Sequence, residues 1–544
     1  MFQYRRNTLF FVIIVCAMLF IPWLGDTYFY SKGEPREAVV AVSIIQSGDW
    51  ILPVSQGADI PYKPPLLAWL IALFSMLFNH GHVNEFLARL PSAIAATAML
   101  AATWKMVRRN DTGRMAWLTV IICATSFEVF RAAMACRVDM LLTACMVCGI
   151  YAMATMHSRP LNALWAILLL SGAVLTKGPV GALLPCLATG IYLLLDGRNF
   201  WRTFLSLTGV CLASFIIPAV WYWLAWRQGG QEFFDLAWEE NIGRLTGTMS
   251  YSSHVNPWWY NFTSVLAGML PWTLPVLAAL CRPKAWRNLR GRLPRHGWPL
   301  LCAVAALTVF IFYCFPESKR AVYLLPCYPF MAYGAAVAVE SIGRSPLMRG
   351  WTTFLYLSGI LAGVAAIVLQ ARWIDLPVIA PLRPWLWPMA LLPAALGLYE
   401  LFTRRETHRG VASAALMTYA LVMAYNAAFM PMALNAKSDV PAARAIADRV
   451  PDGAQLYGLI DYDSMLRYYC VNFYLDDRMR TAPDSAAVPD GAWLVTGEAD
   501  PRRPAPDTLK ARSCDTGRPI LLQAPVAKTA PAPANPAKQP VIKA

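Results

Sequence analysis

Apolar stretches about as long as a bilayer is thick recur along most of this chain, and they limit its fold more than any single motif does. They run at about 8–25, 88–107, 115–131, 140–156, 161–176, 180–195, 204–226, 258–280, 298–315, 322–340, 351–370, 384–402 and 411–430. Each suits a hydrocarbon core about 30 Å thick. A segment in lipid must satisfy its own backbone N–H and C=O groups, so helices are expected. Composition agrees, with 57% of the 544 residues hydrophobic and only 15% charged. The first stretch follows Arg5 and Arg6 and resembles a signal-peptide core. No small-residue cleavage site follows it, so it reads as a membrane anchor. The expectation is an α-helical polytopic membrane protein of about thirteen spans.

A net charge of +15 invites a nucleic-acid reading, but its placement argues for topology instead. Basic residues gather at alternate connections: Arg5 and Arg6; Lys105, Arg108, Arg109 and Arg114; Arg198 and Arg202; and the run Arg282, Lys284, Arg287, Arg290, Arg292 and Arg295. Arg344 and Arg349, then Arg404, Arg405 and Arg409, continue the alternation. This is the positive-inside pattern. It predicts Arg5 inside, a long first loop (about 26–87) outside, the 281–297 loop inside and the C-terminus outside. Residues 64–79 are apolar but short, and counting them as a span would invert the basic loops. They are expected to form a helix lying at the outer interface or re-entering it.

From about Pro431 the composition changes, so residues 1–430 read as a transmembrane domain and 431–523 as a small α/β extracytoplasmic domain. VPAARAIADRV and YDSMLRYYCVNFYL suggest helices; AQLYGLI, AWLVTGE and RPILLQ suggest strands. Residues 524–544 are an Ala/Pro/Lys tail with the composition of disorder. Of thirteen cysteines, eleven lie in or beside apolar spans and read as small buried hydrophobes. Cys470 and Cys514 lie in the polar domain and would be able to pair in an oxidising space.

Residues 30–69 stand apart as a long charged segment between spans, costly to order unless it has work to do. The first loop supplies Glu34, Arg36, Glu37 and Lys63. RVDMLLT adds Arg137 and Asp139, LTKGPVG adds Lys177, and the 232–260 loop adds Glu239, Glu240, Arg244 and His254. FPESKRAVYLLP adds Glu317, Lys319, Arg320 and Tyr323. Singly, Arg137 also reads as an interfacial snorkeller, Asp139 as a helix cap and Lys177 as part of a turn. Together they put carboxylates and cations on one membrane face, where a phosphate-bearing, membrane-borne substrate would bind.

SGDWILP, YKPPLLAW and RLPSA, followed by RVDMLLT, LTKGPVG, HVNPWWY and ESKRAVYLLPCYP, resemble the lipid-carrier-dependent glycosyltransferases of the C superfamily. The nearest pattern is that of the aminoarabinose–lipid A transferases, and more distantly that of the protein O-mannosyltransferases. The resemblance covers about residues 8–430. It implies a long first outer loop with interfacial helices and a small outer C-terminal domain. Two positions depart from the family's pattern: Gly33-Glu34 stands where an Asp-Glu pair is usual, and Tyr62 where an acidic residue precedes the Lys-Pro-Pro.

The activity implied is inverting transfer of a sugar from a polyprenyl-phosphate carrier to an envelope acceptor (lipid A, another glycan or a protein). It would take place on the periplasmic side of the bacterial inner membrane. Such a displacement needs a carboxylate for the acceptor's proton and cations for the departing phosphate. On the resemblance, Glu34 is the first candidate for the catalytic carboxylate and Asp139 the second. Lys63, Lys319 and Arg320 are expected at the phosphate, with Arg137, Lys177, Arg244 and Tyr323 behind them and Arg36, Glu240 and His254 also lining the substrate site. The sugar arrives already activated, so neither a nucleotide nor a redox cofactor is required. One imidazole makes a poor metal site, although a divalent ion is left open. The alternatives are a transporter or flippase of a lipid-linked saccharide and a lipid-linked oligosaccharide polymerase or ligase. A transporter predicts ionisable residues near mid-span, whereas here they sit at span ends.

Overall fold

The computed structural model describes residues 2–525 except 58, 62, 244–245, 247–253, 284–285, 288–290, 292–296, 344, 373–378, 404–409 and 461–466. Each predicted apolar stretch is occupied by a helix or a pair of helices. Among the described residues, seven helices are long and apolar enough to cross a membrane singly, and two bent pairs bring the number to nine. Thr8–Trp23, Leu161–Lys177, Val180–Leu195 and Trp298–Phe312 are shorter apolar helices.

Helices α1 (Phe2–Phe20), α2 (Gly33–Ser47), α3 (Leu66–Phe78), α4 (Glu85–Asn110) and α5 (Gly113–Ala124) follow in order. Then come α6 (Phe127–Ala133), α7 (Val138–Thr155), α8 (Leu161–Lys177), α9 (Val180–Leu195) and α10 (Phe200–Trp238). The sequence reading treats 115–131 and 258–280 as unbroken spans; the structure bends them by 70° and 108°. At the first break Thr125 and Ser126 donate their hydroxyls back to the carbonyls of Ile121 and Ile122, 2.6 and 2.7 Å away, offering the backbone an alternative to the helical ladder. At the second, Pro271 has no N–H to continue the helix. The two breaks lock together: Phe127 N–H donates to the Leu270 carbonyl at 2.9 Å, and the Trp272 indole to Thr125 Oγ1 at 2.8 Å. Hydropathy averages over such breaks, yet they turn α6 so that residues 134–137 can meet the first loop.

That loop carries two helices, α2 and α3. Its first helix, α2, ends at Gly48, whose φ of +72° is the left-handed conformation that glycine adopts without strain. The Asp49 carboxylate then accepts from the N–H groups of Ile51 and Leu52, so the SGDW motif is a turn that holds its own shape. Two indoles pin the next residues, Trp69 donating to the Trp50 carbonyl at 2.7 Å and Trp221 to that of Ile51 at 3.1 Å. The Lys-Pro-Pro turn leads into α3, which leaves Leu73, Met76, Leu77 and Phe78 exposed. An apolar helix of 13 residues with one bare face suits the interfacial position expected of residues 64–79.

Two compact units divide the chain. The first comprises residues 1–55 and 60–437; the second begins at Ser438 and also takes in Gln56–Asp59. Met430–Leu434 is still a helix of the first unit. The second unit holds a five-stranded sheet of order β2-β1-β3-β5-β4: β1 (Leu456–Leu459), β2 (Arg480–Ala482), β3 (Trp493–Thr496), β4 (Asp507–Lys510) and β5 (Ile520–Gln523). The strand β1 runs parallel to β2 and β3, whereas β5 runs antiparallel to β3 and β4. Ala442, Ala443 and Ile446 of the helix Val440–Arg449 close the core against Val471, Val495, Ile520 and Leu522. The sequence reading anticipates β1, β3, β5 and this helix. The second predicted helix is reduced to Tyr469–Phe473, with 461–466 outside the described residues, as are 526–544 of the predicted tail.

No disulfide joins Cys470 and Cys514 in the structure. Their sulfurs and an Asp439 oxygen lie within 4.8 Å of one another. Asp439 is already satisfied, accepting from Lys510 Nζ at 2.7 Å, Ser513 Oγ at 2.7 Å and the Cys514 N–H at 3.0 Å, so it is a poor metal ligand. We expect the two thiols to form a disulfide by exchange with an oxidising protein disulfide, which takes up the two protons and two electrons. The bridge would stabilise this unit by about 2–4 kcal/mol. Protein purified from membranes and unfolded without reductant should lack alkylation at both cysteines; alkylation at both would refute this.

Candidate active site

A group of charged side chains in the first unit surrounds α2 and the Lys-Pro-Pro turn. Glu34, in the first turn of α2, is buried at 4% exposure. Arg89 of α4 grips it with two parallel bonds, Nε to Oε1 at 2.9 Å and Nη2 to Oε2 at 3.1 Å, and the Cys136 N–H donates to Oε1 at 2.9 Å. The remaining Arg89 nitrogen donates to the carbonyls of Leu24 at 2.8 Å and Thr27 at 2.5 Å. Burial pushes the Glu34 carboxyl upward, but Arg89 and the backbone N–H outweigh it and hold the group below the usual carboxylate range.

One helical turn past Gly33 on the same face, Glu37 pairs with Lys63 and with Arg36, whose Nη2 lies 3.2 Å from Oε1. Burial alone would raise the Glu37 carboxyl, yet Lys63 and Arg36 draw it below its ordinary value. The same burial and the nearby Arg36 outweigh Glu37 at Lys63, whose ammonium is pulled down to about 8. Arg137 precedes α7, and its guanidinium fills the space that a Cβ on Gly33 would take. Two residues on, Asp139 sits in the first turn of α7, where the helix dipole favours a carboxylate, and accepts from Lys177 Nζ at 2.5 Å. Lys177 closes α8 and lies 4.3 Å from the centre of the Tyr323 ring, in cation–π contact. Glu37 and Lys63 also line a small cavity of about 30 Å³ with Ile51, Pro53, Pro64 and Trp221.

Of the sequence-predicted residues, the structure thus gathers Arg36 and Lys63 at Glu37, and Lys177 and Tyr323 at Asp139, and the charges of Lys63, Arg137 and Asp139 couple the two groups into one electrostatic network. Lys319 goes elsewhere. Its loop pairs with another, Val255 opposite Ser318, and its ammonium donates to the Pro316 carbonyl at 2.7 Å and the Asn256 carbonyl at 3.4 Å. His254 serves the same pairing through its carbonyl, which accepts from the Lys319 N–H at 3.0 Å, and its own φ is +55°. The Arg320 side chain makes no ion pair or hydrogen bond among the described residues, its backbone opening the short helix that carries Tyr323. Glu240 lies in the π-helical turn Glu239–Gly243 at the end of α10. Arg244 and Tyr62 lie outside the described residues.

Sequence reasoning missed two residues in their roles. Arg89 stood within the RLPSA motif, and an arginine at the mouth of an apolar helix signals a buried partner. Glu37 reads in sequence only as one of the loop's charges; a helix over 33–47 puts it on the face of Gly33. Chemically, the network offers several cations beside two carboxylates, which suits an anion that must be held while charge develops on it.

Comparison with known proteins agrees with this chemistry. The family described as dolichyl-phosphate-mannose-protein mannosyltransferase matches residues 62–223. The undecaprenyl phosphate-alpha-4-amino-4-deoxy-L-arabinose arabinosyl transferase of Shewanella sediminis is 25% identical over 498 residues, 87% of this chain and 85% of that one. The protein of the same name from Pseudomonas aeruginosa is 25% identical over 72% of this chain and 76% of its own. In fold, the chain is similar to ArnT from Cupriavidus metallidurans crystallised with undecaprenyl phosphate, with a TM-score of 0.70 and 22% identity, covering 95% of this chain and 98% of that one. Motifs, relatives and fold converge on one likeness: the chain is similar to the lipid-carrier-dependent integral-membrane glycosyltransferases of the C superfamily, and most of all to those of the aminoarabinose-transferase type.

Proposed function

We propose that this protein transfers a sugar, with inversion, from a polyprenyl-phosphate carrier to lipid A at the periplasmic face of the bacterial inner membrane. The observation that carries the reading is the convergence of Arg36, Lys63, Arg137 and Lys177 around Glu37 and Asp139, beside the interfacial helix α3. The positive-inside pattern supports the periplasmic placement of the first loop. The names of the relatives make 4-amino-4-deoxy-L-arabinose the first sugar to test.

In the reaction, the acceptor hydroxyl oxygen attacks the anomeric carbon from the face opposite the phosphate. A new C–O bond forms as the bond to the phosphate oxygen breaks, and its electron pair goes to the carrier phosphate. The cations neutralise that charge while a carboxylate takes the acceptor's proton. Lys177, held between Asp139 and the Tyr323 ring, is pre-positioned and needs little reorganisation as charge develops.

Mass spectrometry of the envelope lipids of a deletion strain tests the reading. The expected result is loss of a sugar-substituted lipid A species and accumulation of the carrier-linked sugar. Unchanged lipid A with altered protein glycans would overturn the acceptor. A purified protein that moves the intact carrier-linked sugar across a bilayer without transferring it would overturn the enzyme in favour of a transporter.

A further inference from the structure

We propose that Glu37, rather than Glu34, takes the acceptor's proton, and that it becomes free to do so when the carrier phosphate draws Lys63 away. This rests on the glycosyl-transfer reading above. Glu34 is closed to such a role because three donors occupy its carboxylate and the arginine that supplies two of them is itself buried. Protonating or turning Glu34 would strand the Arg89 charge in the interior.

Glu37 differs on each point. Both of its bonds fall on Oε1, and Oε2 makes none among the described residues. Its partners are partly exposed side chains, Lys63 being 24% and Arg36 32% exposed. It faces the cavity that Lys63 also lines. The position one turn earlier is Gly33, and the Arg137 guanidinium occupies the space there, so Glu37 is the carboxylate that this face of α2 presents to the cations.

The pairing couples binding to chemistry. Before the donor arrives, Lys63 neutralises Glu37, and a carboxylate so paired is a weak base. The phosphate offers Lys63 a more highly charged partner, and as the ammonium turns to it Glu37 loses its strongest stabilising cation. Its affinity for a proton then rises while the acceptor hydroxyl is about to lose one. The proton moves from the acceptor oxygen to Oε2, and Lys63 and Lys177 remain on the phosphate that leaves.

The test is single-turnover transfer in lipid nanodiscs, measured alongside binding of sugar-free undecaprenyl phosphate to confirm a folded site. Glu37→Gln is expected to slow transfer about 10²- to 10⁴-fold and to leave carrier binding unchanged or tighter, since Lys63 is no longer held by a carboxylate. Adding Gly33→Asp, one turn away on the same face, should regain at least about tenfold of that loss by returning a carboxylate to the cations. Glu34→Gln should lower the yield of folded protein but leave transfer per folded molecule within a fewfold of wild type. Transfer by Glu37→Gln within about threefold of wild type would overturn the assignment. So would weakened carrier binding by Glu37→Gln together with a loss that Gly33→Asp cannot restore, because Glu37 would then be only a structural partner of Lys63. Failure of the wild-type protein to transfer any sugar would instead overturn the reading on which the proposal rests.

Discussion

Lys63→Ala should abolish sugar transfer, by about 10³-fold or more, and weaken binding of the carrier phosphate at least tenfold. Lys63 is the cation of the Lys-Pro-Pro turn, fixed by two prolines on one side and by the Trp50–Trp69 and Ile51–Trp221 bonds close by. Its ammonium pairs with Glu37 and feels Asp139, so it lies where the two halves of the network meet. An ammonium-to-phosphate bond is worth about twice a neutral one, and here it strengthens as the phosphate departs. Removing it therefore costs both the bound carrier and the transition state. Titrating undecaprenyl phosphate into nanodiscs and following transfer separates the two losses; a variant that binds and transfers normally would refute the role.

Lys63 also sets an expected pH dependence. Burial lowers its ammonium to about 8, so in the empty site it is charged below that pH and neutral above it. Carrier affinity should be nearly level between about pH 7, where the phosphate monoester is doubly ionised, and pH 8, and fall as pH rises further, by up to about tenfold per unit until the pKa of the phosphate-bound state is reached. Lys63→Arg, which stays charged, should flatten that fall even where it transfers poorly. Lys319→Ala offers the contrast. The sequence reading pairs Lys319 with Lys63 at the phosphate, but its ammonium is spent on backbone carbonyls in its own loop pair. Its loss should unsettle that loop by about 1–3 kcal/mol and reach carrier binding only indirectly.

What the sequence conveyed, and what it withheld, follows from the kind of information in each residue. Span positions were legible because hydropathy is a property of whole segments. The breaks at Thr125–Ser126 and Pro271 were not, because they depend on where a few hydroxyls and one imide fall inside an apolar run. Asp139, Lys177 and Tyr323 were legible as motif residues at span ends, and the folded chain brings them together. Glu34 was legible as a carboxylate but not as a committed one, because its partner is 55 positions away and only the fold makes the pair. The strands β2 and β4 are three and four residues long and carry Arg480, Thr481, Asp507, Thr508 and Lys510, too short and polar for an alternating apolar pattern.

The buried pair itself carries the other large expectation. Arg89→Ala should destabilise the first unit by about 3–5 kcal/mol, because it leaves the Glu34 charge in the interior with the Cys136 N–H as its hydrogen bond and only the more distant Arg137 charge to offset it. It also frees the Leu24 and Thr27 carbonyls and empties the place where the guanidinium lies 5.0 Å from the Phe29 ring. Three connections between α4, α2 and the 24–29 segment are thus lost in one step. Arg89→Lys should recover little, since a single ammonium cannot reproduce two parallel bonds to a carboxylate together with bonds to two carbonyls. Removing both charges is different in kind. Arg89→Leu combined with Glu34→Leu replaces an ion pair with apolar volume and should regain most of the stability, as buried pairs often allow. The midpoint of thermal unfolding in detergent, compared across the single and double variants, reads this directly. Equal destabilisation by the single and double variants would refute the stranded charge as the cause, and an unchanged midpoint for Arg89→Ala would refute a structural role for the pair. Transfer by the folded double variant then decides what Glu34 is for: activity within about tenfold of wild type fits a structural carboxylate, whereas its complete loss alongside recovered stability would return the base to Glu34.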